Sequence, residues 1–188
     1  FIARLAGRLR HKHGIVVRPL KASEFTDEVE RLRVIYCGAW ERNWGFVAPT
    51  RDEFRRLATG LKPIFDPRCA VCAEVGGQPV ACAVGVPDVN QALKGTNGRL
   101  FPLGLVRLLM RKRYINQVRL LLVGVESRYR GLGLYPLLLF EWHRHVSGGP
   151  YRRAEFSWVL EDNRDVNQAA ENAGARHYKT YRIYQKSW

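Results

Sequence analysis

The sequence has few acids for its bases. Lys and Arg number 31 against 17 Asp and Glu, a formal net charge of +14. That balance predicts attraction to something acidic: nucleic acid, an anionic membrane or a polyanionic ligand. Apolar runs long enough to span a bilayer, about 18 residues, are missing. The longest candidate, Leu100 to Val106, is interrupted by Arg107. No apolar signal segment precedes the first basic run. The chain opens on Phe1 rather than Met, and its start reads as a cut or as a missing end. Repeats and low-complexity linkers are absent. Otherwise the composition is ordinary, 46% hydrophobic and 26% charged over 188 residues, enough for one domain with a real core.

Cysteine is scarce: Cys37, Cys69, Cys72 and Cys82. Cys69 and Cys72 have CxxC spacing but lie in the strand-like run CAVCAEV, where residues three apart point to opposite faces. No second CxxC completes a zinc site. The expectation is buried small thiols in a reducing cell, with no metal. His11, His13, His143 and His145 read as solvated parts of basic helices. Helix-turn-helix, zinc and RNP-type patterns are also missing, which disfavours nucleic acid as a partner.

What is present is a regular alternation of elements. Residues 1–13 are basic and amphipathic, with Ile2, Leu5 and Leu9 at helical spacing, and Gly14 ends them. Residues 1–14 are therefore a helical linker, or the end of a preceding region. Ile15–Leu20 alternates as a strand. Ser23 is placed to cap a helix through Trp40. Thr50 and Glu53 form a capping-box pattern for another, to Leu61. Cys69–Val75, Gly76-Gly77 and Pro79–Val86 read as a hairpin. Pro87–Gly98 is a polar loop and 100–114 a helix, apolar first and basic last. Then come a strand over 118–125, a helix over 137–146, a strand over 154–160, a short helix over 163–172 ended by Gly174, and a final strand over 178–186. This order predicts one α/β domain with a mixed, partly antiparallel sheet.

The stretch Arg128-Tyr129-Arg130-Gly131-Leu132-Gly133-Leu134-Tyr135-Pro136 stands where the central strand hands over to a helix. A helix N-terminus offers free N–H groups and partial positive charge. Glycines let backbone approach a phosphate closely. Arg128 and Arg130 add forked donors, and Pro136 fits a first helical turn. The site suits a pyrophosphate. It lacks the GxxxxGK[ST] of a P-loop and the three spaced glycines of a dinucleotide fold.

In its setting this turn resembles that of the GNAT family of acyl-CoA-dependent N-acyltransferases, over about Ile15 to Lys186. The resemblance implies a GNAT-like α/β (α+β) fold: a mixed, mostly antiparallel central sheet flanked by helices, with splayed central strands, spanning 15–188. It implies that backbone of Val123, Gly124 and Val125 pairs with a pantetheine arm. It also implies that a turn of pattern [Q/R]-x-x-G-x-[G/A] cradles the CoA pyrophosphate. Arg128 to Gly133 satisfies every position, but the distance from the strand favours Arg130 to Tyr135. The second register puts Tyr135 where the family has Gly or Ala. Its ring either narrows the phosphate approach or turns outward to stack on the ligand. Asn163 matches the family's Asn that bonds pantetheine. The family's frequent thiolate-protonating tyrosine falls at Ala170, leaving Tyr178, Tyr181 or a water. NWGFV, PDVNQALK, SWVLEDN and YKTYRIY resemble a less familiar GNAT subgroup in which this region is the C-terminal half of a longer chain, with a preceding domain.

The implied activity transfers an acetyl or longer acyl group from acyl-CoA, as cosubstrate, to a primary amine. The amine then needs a base; Glu126, Glu161 and Asp162 stand at strand ends as candidates or as solvated carboxylates. An N–H of Val125, or of a neighbour, is the expected oxyanion donor. Trp44, Asp88, Asn90 and Gln91 lie on loops that would flank an acceptor cleft, although Trp44 could equally anchor a loop. Trp158 reads as core. The insert 99–114 reads as a helix covering the sheet; the other reading is an interfacial helix or a lid over a long acyl chain near anionic lipid. The expected location is the cytoplasm, with peripheral attachment to the inner face of a membrane as a variant. A non-catalytic, degenerate half of a tandem protein is the alternative that Tyr135 and Ala170 raise. An amine-bearing lipid is the alternative acceptor.

Overall fold

The computed structural model describes residues 2–41, 43–94, 96, 97 and 99–186. Helix α1 (Ile2–His13) ends at Gly14, whose φ of 62° suits glycine. Strand β1 (Ile15–Pro19) follows. A tight turn, Ala22–Glu24, leads into α2 (Phe25–Trp40). Ser23, expected as its cap, lies within that turn, and α2 starts without a side-chain cap. In α3 (Arg51–Leu61) both halves of the Thr50–Glu53 capping box form. Strands β2 (Ala70–Val75) and β3 (Gln78–Pro87) make the expected hairpin around Gly76 and Gly77, both at positive φ.

The loop after β3 contains a short helix, α4 (Asn90–Leu93). The insert expected as one helix is instead a wide turn (Leu100–Gly104), α5 (Leu105–Leu109) and α6 (Arg111–Tyr114). Phe101 is extended within it, next to Pro102, which cannot continue a helical ladder. The side chains of Leu100, Leu103, Arg111 and Lys112, and those of Ile2 and Leu5 in α1, lie outside the described residues. Strand β4 (Gln117–Val125), α7 (Leu134–Ser147), β5 (Arg153–Phe156) and α8 (Arg164–Asn172) complete the chain. Gly174, at φ 83°, ends α8.

The sheet order is β1-β2-β3-β4-β5. The first four strands run antiparallel to their neighbours, and β5 joins β4 in parallel through α7. This is the mixed sheet that the element order predicts, mostly antiparallel as the family resemblance implies. Two expectations are corrected. Of the strand expected over 154–160 only Ala154, Glu155 and Phe156 pair, with Arg153 before them. Residues 178–186 form no strand. The causes are linked: the β4–β5 ladder stops early, so the continuation of β5 offers no regular edge for another strand, and Ile183 and Tyr184 stay exposed.

Helices cover both faces. α7 and α1 lie over one, where Leu9, Val71, Ala73, Leu134, Leu138 and Trp142 are buried together. α2 closes the other over Leu32, Ile35, Ala70, Cys72 and Cys82. Cys69 belongs to the first cluster and Cys72 to the second, the opposite faces their spacing requires. Burial pushes both thiols up to about 12, so they are poor nucleophiles and poor metal ligands. Trp142 fixes α7 to the sheet, its indole N–H donating to the buried Cys69 carbonyl at 2.7 Å. Trp142→Phe keeps most of the apolar body and leaves that carbonyl unpaired. We expect a loss of about 1–3 kcal/mol in urea unfolding at unchanged far-UV circular dichroism.

Candidate functional site

β4 and β5 pair only from Gln117–Arg153 to Leu120–Phe156. The N–H of Ser157 donates to the Leu120 carbonyl at 3.0 Å, and beyond it the strands part. On the other side of β4, the register with β3 jumps from Gly85–Leu120 to Val84–Leu122. Leu121 is the extra residue of a bulge. A bulge shifts the alternation of backbone groups by one. Past it, Glu126 N–H donates to the Val80 carbonyl at 2.9 Å. By strand alternation Gly124 then faces β3, and the N–H and C=O groups of Val123 and Val125 face away from β3; Val123 lines the gap, whereas Val125 is fully buried.

Two cavities occupy this gap. One, about 340 Å³, lies at the carboxyl end of β4. Its walls come from Trp40, Asn43 and Trp44, from Val123, from Arg130 and Tyr135, and from Asp162 to Asp165. The other, about 100 Å³, runs between the diverging strands, lined by Leu120–Val123 and Phe156–Leu160. Trp40, Asn43, Val123, Leu160 and Asn163 line both, so the two form one cleft.

The turn at its mouth is built as the sequence suggests. Gly131 and Gly133 hold φ of 79° and 85°, a region costly for other residues. Gly133 precedes α7, whose first-turn N–H groups have no intrahelical acceptor. Leu132 and Leu134 pack inward on the core. Arg130 lines the large cavity and donates an Nη to the Ala39 carbonyl at 2.8 Å, tying the end of α2 to the turn. Its Nε is buried without a partner. Arg128 instead pairs with Glu126 at 2.8 Å and covers the Tyr129 ring. Tyr135 lines the cavity, and burial raises its hydroxyl pKa against the opposing charge of Arg130. Asn163 caps α8, its side-chain oxygen accepting from Val166 N–H.

The other candidate residues divide sharply. Asp162 lines the large cavity. Glu126 is held by Arg128, and Glu161, exposed, pairs with Arg182 at 3.1 Å. Tyr178 donates to Glu155 at 2.6 Å and Tyr181 packs near Trp158; neither lines the cleft. Trp44 is 82% exposed at the cavity wall. Asp88, Asn90 and Gln91 sit at the opposite end of β4, roughly 26 Å from Val125 by strand rise, and are used structurally. Asp88 accepts from Asn90 and Gln117, and Gln91 holds the backbone of Asn116 and Gln117. Trp158 is not core but exposed beside the smaller cavity, because β5 ends two residues earlier and its alternation ends with it. Among the described residues no cluster of three or more His, Cys, Asp or Glu could hold a metal, and no helix is long and apolar enough to cross a membrane.

Trp40, Asn43 and Ser157 are wall residues that sequence reasoning missed. Trp40 rests on Gly124, where an added Cβ would stand 2.5 Å from its ring. A glycine within an otherwise apolar strand is the signal for such close approach. The Ser157 hydroxyl is buried without a partner beside the smaller cavity.

An open sheet with its fourth and fifth strands splayed over a cleft, ending at a glycine turn and helix N-terminus, is the architecture of the GNAT acetyltransferases. Solved structures agree at the level of fold. An aminoglycoside acetyltransferase from an uncultured soil metagenomic sample, in complex with sisomicin, superposes with a TM-score of 0.60 at 8% identity, covering 95% of this chain and 99% of that one. An acetyltransferase of the GNAT family from Streptococcus pneumoniae gives 0.54 at 15% identity, with 85% and 83% covered. The chain has the GNAT fold. Among curated proteins it is similar to the bacterial ceramide synthase of Caulobacter vibrioides, 38% identical over 181 residues, 93% of this chain and 47% of that protein. It is also similar to protein YghO of Escherichia coli, 34% identical over 195 residues, 98% of this chain and 48% of that protein. The chain spans about half the length of the curated relatives it matches. No family model matches it.

Gly124→Ala tests the Trp40 wall. The methyl meets the half-buried indole at 2.5 Å and forces it aside, and we expect a loss of about 1–3 kcal/mol in thermal unfolding. An unchanged midpoint would show that Trp40 yields freely and does not define the cleft.

Proposed function

We propose that this chain is an acyl-CoA-dependent N-acyltransferase that transfers an acetyl or longer acyl group to a primary amine. The observation that supports it best is the gap between β4 and β5, lined by Val123, with the Gly131–Gly133 turn at its mouth. Unpaired strand groups suit the amides of a pantetheine arm. The first turn of α7 and the buried Arg130 Nε suit a pyrophosphate.

Transfer needs no covalent enzyme intermediate. The neutral amine nitrogen attacks the thioester carbonyl carbon, a C–N bond forms and the carbonyl electrons move to oxygen. An N–H of Val123 or Val125 meets that oxyanion. Collapse breaks the C–S bond, and CoA leaves as a thiolate. Asp162, in the cavity wall, takes the ammonium proton directly or through water. The thiolate is protonated by water or by Tyr135, whose hydroxyl burial keeps in its protonated form. Glu126 and Glu161, already paired with arginines, serve the turn and the exposed rim.

A more specific acceptor, an amine-bearing lipid, is favoured by one observation: the name of the ceramide synthase relative. A ceramide is an amide of a long-chain amino alcohol, the product class that such a transfer makes.

Acetyl-CoA, palmitoyl-CoA and free CoA should each be tested for thermal stabilisation of the chain. Ligand at 100 times its Kd raises stability by about 2.7 kcal/mol. Gly133→Asp should abolish the shift. Asp162→Asn should keep it and lower kcat by about 10²–10⁴-fold. Stabilisation without turnover of any amine would point to a degenerate, non-catalytic domain, and no stabilisation by any of the three would overturn the CoA reading.

A further inference from the structure

The insert between α4 and β4 does not cover the sheet as expected. α5 and α6 pack mainly on α4, on the preceding turn and on each other. Apolar side chains of the insert stand outward: Phe101 is 80% and Leu109 75% exposed, and Leu105, Val106, Met110 and Tyr114 are each 39–49% exposed. Scattered exposed apolar residues are normal, but six within one segment make a patch.

Charge within this segment of the sequence has one sign. No acidic residue occurs between Asp88 and Glu126, whereas the insert carries Arg99, Arg107, Arg111, Lys112 and Arg113. Arg107 braces the segment, donating to the Lys94 carbonyl at 2.8 Å and lying over the Tyr114 ring. Arg99 and Arg113 are exposed. Apolar tips set among cations, with no acid near them in sequence, match one kind of surface: a layer of hydrocarbon beneath a layer of phosphate. The apolar side chains enter the acyl boundary, and the cations stay at the headgroups. Single-stranded nucleic acid would call for stacking platforms in a basic groove, not for aliphatic tips.

We infer that residues 99–114 form a docking surface for anionic phospholipid, holding the protein on a membrane without spanning it. The inference stands apart from the acyltransferase reading. It places the bilayer at the Gln117 end of β4, the end opposite the Gly131–Gly133 turn.

The test is co-sedimentation of the 188-residue chain with phosphatidylglycerol-containing vesicles and with neutral phosphatidylcholine vesicles. Binding is expected to the first and to fall with salt. The double variant Phe101→Asp, Leu109→Asp should weaken it about tenfold or more at unchanged thermal midpoint, since both side chains are exposed. Arg55→Gln with Arg56→Gln, on the exposed face of α3, should change binding less than twofold. Three results would overturn the inference: no binding to anionic vesicles, binding indifferent to the double variant, or loss in that variant of a dimer seen by sedimentation velocity. The last would make the face an interface between two copies.

Discussion

Buried backbone N–H and C=O groups need partners, and past Leu120 the strand β4 has them on only one side. The bulge at Leu121 sets this arrangement. It shifts the pairing of β4 with β3 by one residue, and past it Val123 turns its polar groups away from β3, toward the gap it lines. Divergence of β5 after the Ser157–Leu120 hydrogen bond opens that gap into a cleft. If the strands had stayed paired to Val125, the same sequence would have made a longer closed sheet with no cleft between them.

The surrounding packing holds the cleft open. Trp40 presses on Gly124 from the α2 side, and Arg130 ties the end of α2 to the glycine turn. On the other face, Leu134 and Leu138 bury α7 against the sheet, so its N-terminus is delivered at a fixed height beside β4. Core contacts thus position a turn whose own residues are mostly exposed or half-buried. The wall charges are mixed: Arg130 and Arg164 face Asp162 and Asp165. The large net charge is therefore not concentrated in the cleft, and its concentration along the insert is a separate property of the surface.

Much of this was legible in the residues. Apolar periodicity gave α2, α7 and the strands from β1 to β4. Thr50 and Glu53 announced the start of α3, and the CxxC spacing correctly predicted two thiols on opposite faces. The failures share a cause. Periodicity at 154–160 and 178–186 reports what a strand would bury, not whether a neighbour is present to pair with it. The insert 99–114 has helical composition, but Pro102 and Gly104 break it, and whether its apolar side covers a sheet depends on where α4 holds it. Asp88, Asn90 and Gln91 looked like cleft residues because polar loops often serve sites; here they satisfy the backbone at the start of β4.

The sequence by itself determined the local devices: the positive-φ glycines, the helix ends, the alternation that sends Cys69 and Cys72 apart, and the excess of positive charge. These depend on neighbours within a few residues, so they can be read from one chain. Only the tertiary structure decided where β4 and β5 separate, which carboxylates reach the cavity, that Trp40 forms its wall, and that the apolar insert faces outward. Each of those depends on which distant segment fills the space beside a residue, and packing settles that between elements far apart in sequence.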